Sequence, residues 1–449
     1  MLLRRQDCPA ICFDIDVKVS ENMKNYKVDT NCVQAGWEPS NSEPSILPIY
    51  QSTTYKYDSS EFLGKLFDLE APGHMYTRIS NPTVDAVEKK IAALEGGVGA
   101  MCTGSGQAAS FAAIFNITSA GQNFVCSASI YGGTTNLFAV TMARMGIEVR
   151  FFTLDMTDEE VSALFDENTR LLFGETVANP ALTVFDIERY AKLAHSHGVP
   201  LIIDNTFATP VLCRPFEFGA DIVVHSTTKY MDGHASVVGG VIVDGGTFDW
   251  TKDGKYPELS TPDESYHGVV YTEQFGNAAY ITKARTQLMR DLGLTPQPIA
   301  VFLLNLGLDS LAVRMERHVK NALKVAEFLE KDPRVSWINY PSLPTSDQYE
   351  LAQKYLPDGA CGVISFGVKG GRSAAMKFMD SLELARIVVH VADARTCVLH
   401  PASTTHRQLT DDQLTAAGIT PDLIRMSIGI ENADDIIADI DAALTKATE

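Results

Sequence analysis

Unbroken apolar runs closed by polar residues dominate the middle of the chain. Val199 to Ile203 are apolar without alternation and end at Asp204, and Ile222 to Val224 run into His225-Ser226-Thr227-Thr228-Lys229. Such runs predict parallel strands buried on both faces of one sheet. Leu171 to Gly174, ending at Glu175, predict a third strand. VGAMCTGSGQAASFAAIFNI reads as strand, glycine turn and helix, and NFVCSASIYGGTTNLFAVTMARMGIEVRFF as strand, helix and strand. Ahead of these, Asn81 caps a predicted helix with Pro82 at its first position. Val84, Val87, Ile91 and Leu94 form one apolar stripe on it, and Gly96-Gly97 stop it.

The flanks are less regular. Residues 24–75 are turn-rich, with EPSNSEPS as a loop and LPIYQSTTYKY extended, and they show no core of their own. They are expected to pack on another domain or subunit. After Gly240 a long loop runs through Trp250 and Tyr266-His267-Gly268, a length uncommon unless functional. Pro296 and Pro298 mark a domain boundary. Beyond it a helix with Met315, Val319, Leu323 and Ala326 on one face precedes strands at VSWIN, GVISFGV and IRMSIGI. A last helix starts near Asn432, with Ile436, Ile437, Ile440 and Leu444 on one side. The expected division is 1–75 as extension and intersubunit arm, 76–293 as large domain and 294–449 as small α/β domain.

Composition narrows the classes. The 449 residues are 45% hydrophobic, enough for two or three domains, and the net charge of −19 argues against nucleic acid or an anionic membrane as partner. No apolar run approaches the roughly 20 residues of a membrane span. Eight cysteines (8, 12, 32, 102, 126, 213, 361, 397) are scattered without a C-x-x-C pair, which suits a reducing cytoplasm and no metal site. His195 and His197 read as solvent-facing. Pro9, Asp14 and Asp16 break any apolar segment after Arg4-Arg5, so 1–22 reads as an extension with Met23 the expected natural start.

Ligands of parallel sheets bind beyond the carboxyl ends of the strands. Asp204, Ser226, Thr228 and Lys229 are all expected at that edge. An acid and a lysine there suit pyridoxal phosphate (PLP): the lysine holds the cofactor as a Schiff base and the acid keeps the pyridine nitrogen protonated. Gly104-Ser105-Gly106-Gln107-Ala108-Ala109 also fits a dinucleotide fingerprint. That reading requires an acid about 20 residues on, and there is no Asp or Glu between Glu95 and Glu148. An acid-free helix start favours a phosphate instead.

VVHSTTKYMDGH resembles the cofactor-lysine segment of the PLP-dependent Cys/Met-metabolism enzymes, the cystathionine γ-synthase-like family, and the resemblance covers roughly 30–445. It implies a type I, aspartate-aminotransferase-like α/β fold: a mostly parallel central sheet with a smaller C-terminal α/β domain. It implies Lys229 as the covalent lysine, Asp204 as the ring-nitrogen partner, and Ser105, Gly106, Gln107, Ser226 and Thr228 at the phosphate. Tyr131 would stack on the ring and help move protons, Asn179 would meet the ring oxygen, and Arg425 would clamp the substrate carboxylate. Tyr76 and Arg78, in a Y-x-R before N-P-T, would reach the site of the other subunit, with Tyr76 also near substrate. Thr396 keeps a hydroxyl where Ser is usual. His390 stands where sulfhydrylases usually have Asn and cystathionine enzymes Ser, and Ala392 replaces a common Gly.

Tyr131-Gly-Gly-Thr-Thr-Asn-Leu-Phe and the 240–270 loop resemble the O-acetylhomoserine sulfhydrylase branch. Methionine γ-lyases typically carry a cysteine soon after that tyrosine. The expected function is therefore replacement at Cγ: O-acetyl-L-homoserine and sulfide to homocysteine and acetate, by a cytoplasmic homo-oligomer of shared sites, expected to be a tetramer. A γ-lyase or cystathionine enzyme is the alternative, and a nucleotide-binding oxidoreductase or non-catalytic module is nearly excluded by Lys229, Asp204 and the acid-free stretch.

Overall fold

A computed structural model describes residues 26–404, 407 and 420–449. The expected extension and Met23 lie outside the described residues. Seven strands form the larger sheet: β1 (Gly99–Thr103), β2 (Asn123–Ser127), β3 (Glu148–Phe152), β4 (Thr169–Glu175), β5 (Leu201–Asp204), β6 (Ile222–His225) and β7 (Gly240–Asp244). Their order is β1-β7-β6-β5-β4-β2-β3. Strands β2 to β6 are parallel, and β7 runs antiparallel between β6 and β1.

The unalternating runs have their explanation in two cores. Leu201, Ile203, Val223, Val241 and Val243 face one apolar cluster, while Ile202, Ile222, Val224 and Ile242 face the other. A sheet covered on both sides needs apolar residues at every position. Register then levels the edge, because Glu175 pairs with Asp204 and Asp204 with Val224.

Helix α3 (Pro82–Glu95) follows two short helices, α1 (Val28–Gln34) and α2 (Ser60–Phe67). The Asn81 side chain caps α3 by accepting from the Thr83 N–H, and Gly96 closes it at φ 84°. The one-stripe expectation was too narrow, since α3 is buried on nearly every side. Its polar residues are paired: Glu88 with Arg285 at 2.6 Å, Lys90 with Asp309 at 2.7 Å, Glu95 with His225 at 2.5 Å. Such pairs make burial of charge tolerable, and no periodicity rule sees them.

The arm also differs from expectation, because α1 and α2 lie in a segment read as turns and extended chain. Their amphipathicity is short and is completed by tertiary packing. The arm packs on its own chain: Tyr50 N–H donates to Thr83 Oγ1, and Thr83 Oγ1 donates to the Pro48 carbonyl. Val33, Ile46, Ile49, Phe62 and Phe67 remain exposed on it.

A five-stranded sheet, order β10-β11-β12-β9-β8, forms the C-terminal part from β8 (Val335–Asn339), β9 (Val363–Val368), β10 (Arg386–Ile387), β11 (Cys397–Leu399) and β12 (Leu423–Ser427). The long helix Leu311–Lys331 packs on it, and the last helix Ala433–Thr448, capped by Asn432, packs on that helix and on the helix Gly371–Ser381.

The length of the loop after β7 suggests a functional segment, but its aromatic residues are packed inside the protein. Trp250 is buried, stacked on Tyr280 and edge-on to Tyr256. The Tyr256 hydroxyl donates to the Arg170 carbonyl and Lys255 to the His197 carbonyl. Arg170 and His197 lie at or before the amino ends of β4 and β5, so this part of the loop lies at the edge opposite Lys229. Tyr266 is buried too, donating to the Thr286 carbonyl. The aromatic residues are core, not an overhang. Trp250→Ala is expected to cost about 3–5 kcal/mol, the scale of a large aromatic truncation. A thermal unfolding midpoint should therefore fall by several degrees while kcat/KM of the folded protein stays within about threefold. A large kcat/KM loss at unchanged midpoint would return the loop to the site.

Candidate active site

The level carboxyl edge of β4, β5 and β6 brings together residues from four segments. Lys229 closes the turn after β6, and its backbone N–H donates to the Ser226 carbonyl. Its side chain is largely buried, with no acid paired to it among the described residues. Burial, with Arg425 adding like charge, lowers the Lys229 pKa from that of a free lysine. A lysine so placed loses its proton more readily and so suits attack and proton transfer.

Asp204 ends β5. Its Oδ1 accepts from the Thr206 N–H at 2.9 Å and the Thr206 hydroxyl at 2.5 Å, and Thr206 Oγ1 in turn accepts from the Ser226 N–H. Burial pushes the Asp204 pKa up, and the Thr206 donors and His225 oppose it. Glu175, its register neighbour, is pushed well above the carboxylate range by burial and then by the Asp204 charge. Two adjacent buried carboxylates do not both ionise easily. Both carboxyls are held above the ordinary range, Glu175 the more strongly. Glu175 also fixes two loops, accepting from the Tyr131 N–H at 2.7 Å and from the Asn179 N–H.

The acid-free turn leans on the same edge. Ser105 caps helix α4 (Gly106–Phe115), its Oγ accepting from the Ala108 N–H at 3.1 Å. A Cβ on Gly106 would come within 2.6 Å of the Ser226 Cβ, so only glycine lets the turn and the Ser226 loop meet. Gln107 and the Tyr131 ring both crowd Gly133, at 2.9 and 2.5 Å from where its Cβ would be. Thr228 Oγ1 bridges to Gly239, accepting its N–H and donating to its carbonyl. Helix start, free N–H groups, hydroxyls and amide form a cradle for an anion.

From the smaller sheet comes Arg425 on β12. It is 9% exposed, donates to Asn179 Oδ1 at 3.1 Å and to the His390 carbonyl at 3.4 Å, and its Nε is buried without a partner. Burial lowers its pKa, and no carboxylate is paired with it among the described residues. A buried guanidinium in this state is matched by an incoming carboxylate.

A solved structure of a protein from Campylobacter jejuni subsp. jejuni, described as an O-acetylhomoserine (thiol)-lyase with N'-pyridoxyl-lysine-5'-monophosphate, superimposes with a TM-score of 0.90. It is 36% identical over 94% of this chain and 100% of that one. The family described as Cys/Met metabolism PLP-dependent enzyme matches residues 29–445. The chain belongs to that family. Its fold is the type I PLP fold and its cofactor is pyridoxal phosphate. Among relatives of this Cys/Met-metabolism enzyme, homocysteine synthase of Schizosaccharomyces pombe is 48% identical, covering 93% of this chain and 98% of that protein. O-acetyl-L-homoserine sulfhydrylase of Leptospira meyeri is 45% identical over 94% and 97%.

Three further expected residues are engaged by other partners in this chain. Thr396 is fully buried: its hydroxyl donates to Glu431 at 2.9 Å and accepts from the Gly429 N–H. Tyr76 and Arg78 are exposed, with the guanidinium 5.3 Å from the Tyr76 ring centroid and bonded to the Arg290 carbonyl. His195 is less simply solvent-facing than expected, since its Nε2 meets the buried Asp221 at 2.8 Å. Sequence reasoning did not use Thr206, which holds Asp204. A hydroxyl two residues past an aspartate is an Asx-turn signal and was available. Among the described residues there is no group of side chains fit for a metal, and no single helix is long and apolar enough to cross a membrane.

Proposed function

We propose that the chain transfers the four-carbon unit of O-acetyl-L-homoserine to sulfide, breaking the Cγ–O bond to release acetate and forming a Cγ–S bond to give homocysteine. The observation that carries this reading is the agreement of near full-length relatives. Those from S. pombe, L. meyeri and Corynebacterium glutamicum, at 48%, 45% and 44% identity, are all named homocysteine synthase or O-acetyl-L-homoserine sulfhydrylase.

In this reading Ser105, Gly106, Gln107, Ser226 and Thr228 hold the cofactor's phosphate, Lys229 its aldehyde carbon, Asp204 a proton on its ring nitrogen, and Asn179 its ring oxygen. Pyridoxal phosphate supplies an electron-withdrawing ring that makes substrate C–H bonds acidic. Arg425 takes the substrate carboxylate, which fixes Cα beside Lys229. The Lys229 amine, its pKa lowered by burial, moves protons at Cα and Cβ, and the Tyr131 hydroxyl assists. Thr396 orients the Arg425 strand through Glu431 and Gly429 rather than touching substrate. The division into 76–293 and 294–449 then puts the cofactor on one unit and the carboxylate clamp on the other. The protein works in the cytoplasm.

Product analysis tests the reaction. At saturating O-acetyl-L-homoserine and sulfide, homocysteine is expected to dominate and acetate release to depend on sulfide. Mostly 2-oxobutyrate, or faster turnover of methionine, would make the γ-lyase reading the better one.

We further propose a homo-oligomer, a tetramer built from dimers, in which Tyr76 and Arg78 complete the neighbouring subunit's phosphate site. Their exposure and the apolar residues left bare on the arm support this. Arg78→Ala and Lys229→Ala proteins, each nearly inactive alone, should regain activity on mixing, up to about a quarter of wild type. That recovery follows from random subunit exchange placing both wild-type residues in some sites. No recovery, with exchange verified by mass, would count against shared sites.

A further inference from the structure

Behind the strand ends lies a second, buried polar row. Thr176 follows Glu175, Asn205 follows Asp204, and His225 follows Val224, the register partner of Asp204. Successive residues of a strand point to opposite faces, so this row faces away from the site. Its members are 0–1% exposed and are wired together through Glu95 of α3, itself fully buried. Thr176 Oγ1 donates to Asn205 Oδ1 at 2.8 Å, and Asn205 Nδ2 donates to Glu95 Oε1 at 3.1 Å and to the Cys213 carbonyl at 2.9 Å. His225 Nε2 meets the same Oε1 at 2.5 Å.

The backbone repeats the pattern. Thr176 N–H donates to the Asp204 carbonyl, and Asn205 N–H to that of Val224. Burying a carboxylate and an imidazole rarely stabilises a fold more than apolar packing would. Here Glu95 Oε2 and His225 Nδ1 also lack partners. The bonds that are made tie together the ends of all three strands that present Glu175, Asp204 and Ser226, so each strand end is positioned by the others.

We propose that Glu95, Asn205, Thr176 and His225 form a positioning network that levels the cofactor-binding edge and fixes Asp204 in place on it. The inference rests on the reading of Asp204 as ring-nitrogen partner. His225 is a positioning residue, since it acts on Asp204 and touches neither substrate nor cofactor. The coupling is geometric: the Glu95 carboxylate lies 2.5 Å from the His225 imidazole, and both groups are buried. Arg214 anchors the same helix end, its Nε donating to the Glu95 backbone carbonyl. Burial raises the Asp204 pKa, and His225 is among the groups that bring it down.

The test uses full-length holoenzyme carrying His225→Gln, Glu95→Gln or Thr176→Val, reconstituted with PLP labelled with nitrogen-15 in the ring. Wild type should show a protonated ring nitrogen. Glu95→Gln and His225→Gln should move that signal toward the neutral value, and the Kd for PLP should rise about tenfold, because Asp204 is no longer held against the ring nitrogen. Thr176→Val, which removes only the outermost link, should shift both readouts in the same direction by less. It also remains readable if the charge variants do not fold. A protonated signal and a Kd within twofold of wild type in every folded variant would overturn the inference. An unprotonated ring in wild type would instead sink the Asp204 reading and leave the network as structure alone.

Discussion

Lys229→Ala protein is expected to lose turnover by at least about 10³-fold and to lose its covalently held cofactor. Wild-type protein should be yellow, with a visible band that borohydride bleaches while fixing the cofactor to one lysine. Lys229 is the lysine that the fold prepares for this. It is largely buried, it stands beside Arg425 rather than an acid, and both effects favour the neutral amine. Other lysines are in different states. Lys90 is paired with Asp309, and Lys283 donates to the Asn116 carbonyl at 3.0 Å. Alanine removes the covalent anchor and the base together, which is why the loss should exceed that of any single hydrogen-bonding residue. Peptide mapping after borohydride checks the assignment. A fixed adduct on another lysine, or Lys229→Ala retaining more than about a tenth of wild-type turnover, would defeat it.

How much of this was legible in the sequence depended on whether a feature is local. The strands β4, β5 and β6 were visible because a doubly covered sheet demands apolar residues at every position, and Asp204 and Lys229 were visible because polar residues break those runs. The cap of α3 was visible in Asn81-Pro82 for the same reason. Burial of α3 on almost all sides was not, because Glu88, Lys90 and Glu95 look solvent-exposed until Arg285, Asp309 and His225 arrive from distant segments. The 240–270 loop failed in the opposite direction. Its length, with Trp250 and Tyr266 on it, read as a sign of function, yet aromatic residues spend their large apolar area in a core when one is within reach. Arg425 could be placed on a strand, but nothing local says that its guanidinium meets Asn179, 246 residues away.

Asp204→Asn carries the second large effect. The substitution is nearly isosteric, and the amide oxygen can still accept from the Thr206 N–H and hydroxyl, so the strand end and the folded protein should survive. What is lost is charge. Burial opposes ionisation of Asp204, and the structure answers with two Thr206 donors and with His225. Such compensation is wasted unless the carboxylate itself is needed. A neutral amide cannot hold a proton on a pyridine nitrogen, so substrate C–H acidity falls while the phosphate cradle at Ser105, Gly106 and Ser226 is untouched. Turnover should drop by about 10²–10⁴-fold with PLP still bound, the range assigned to losing a proton-holding group in the transition state. Because Arg425 is unaffected, the loss should appear in kcat, with KM nearly constant. Steady-state kinetics of the reconstituted variant decide the matter. If kcat stays within a few-fold of wild type, Asp204 merely caps β5 and the electron-withdrawing role must lie elsewhere on the edge.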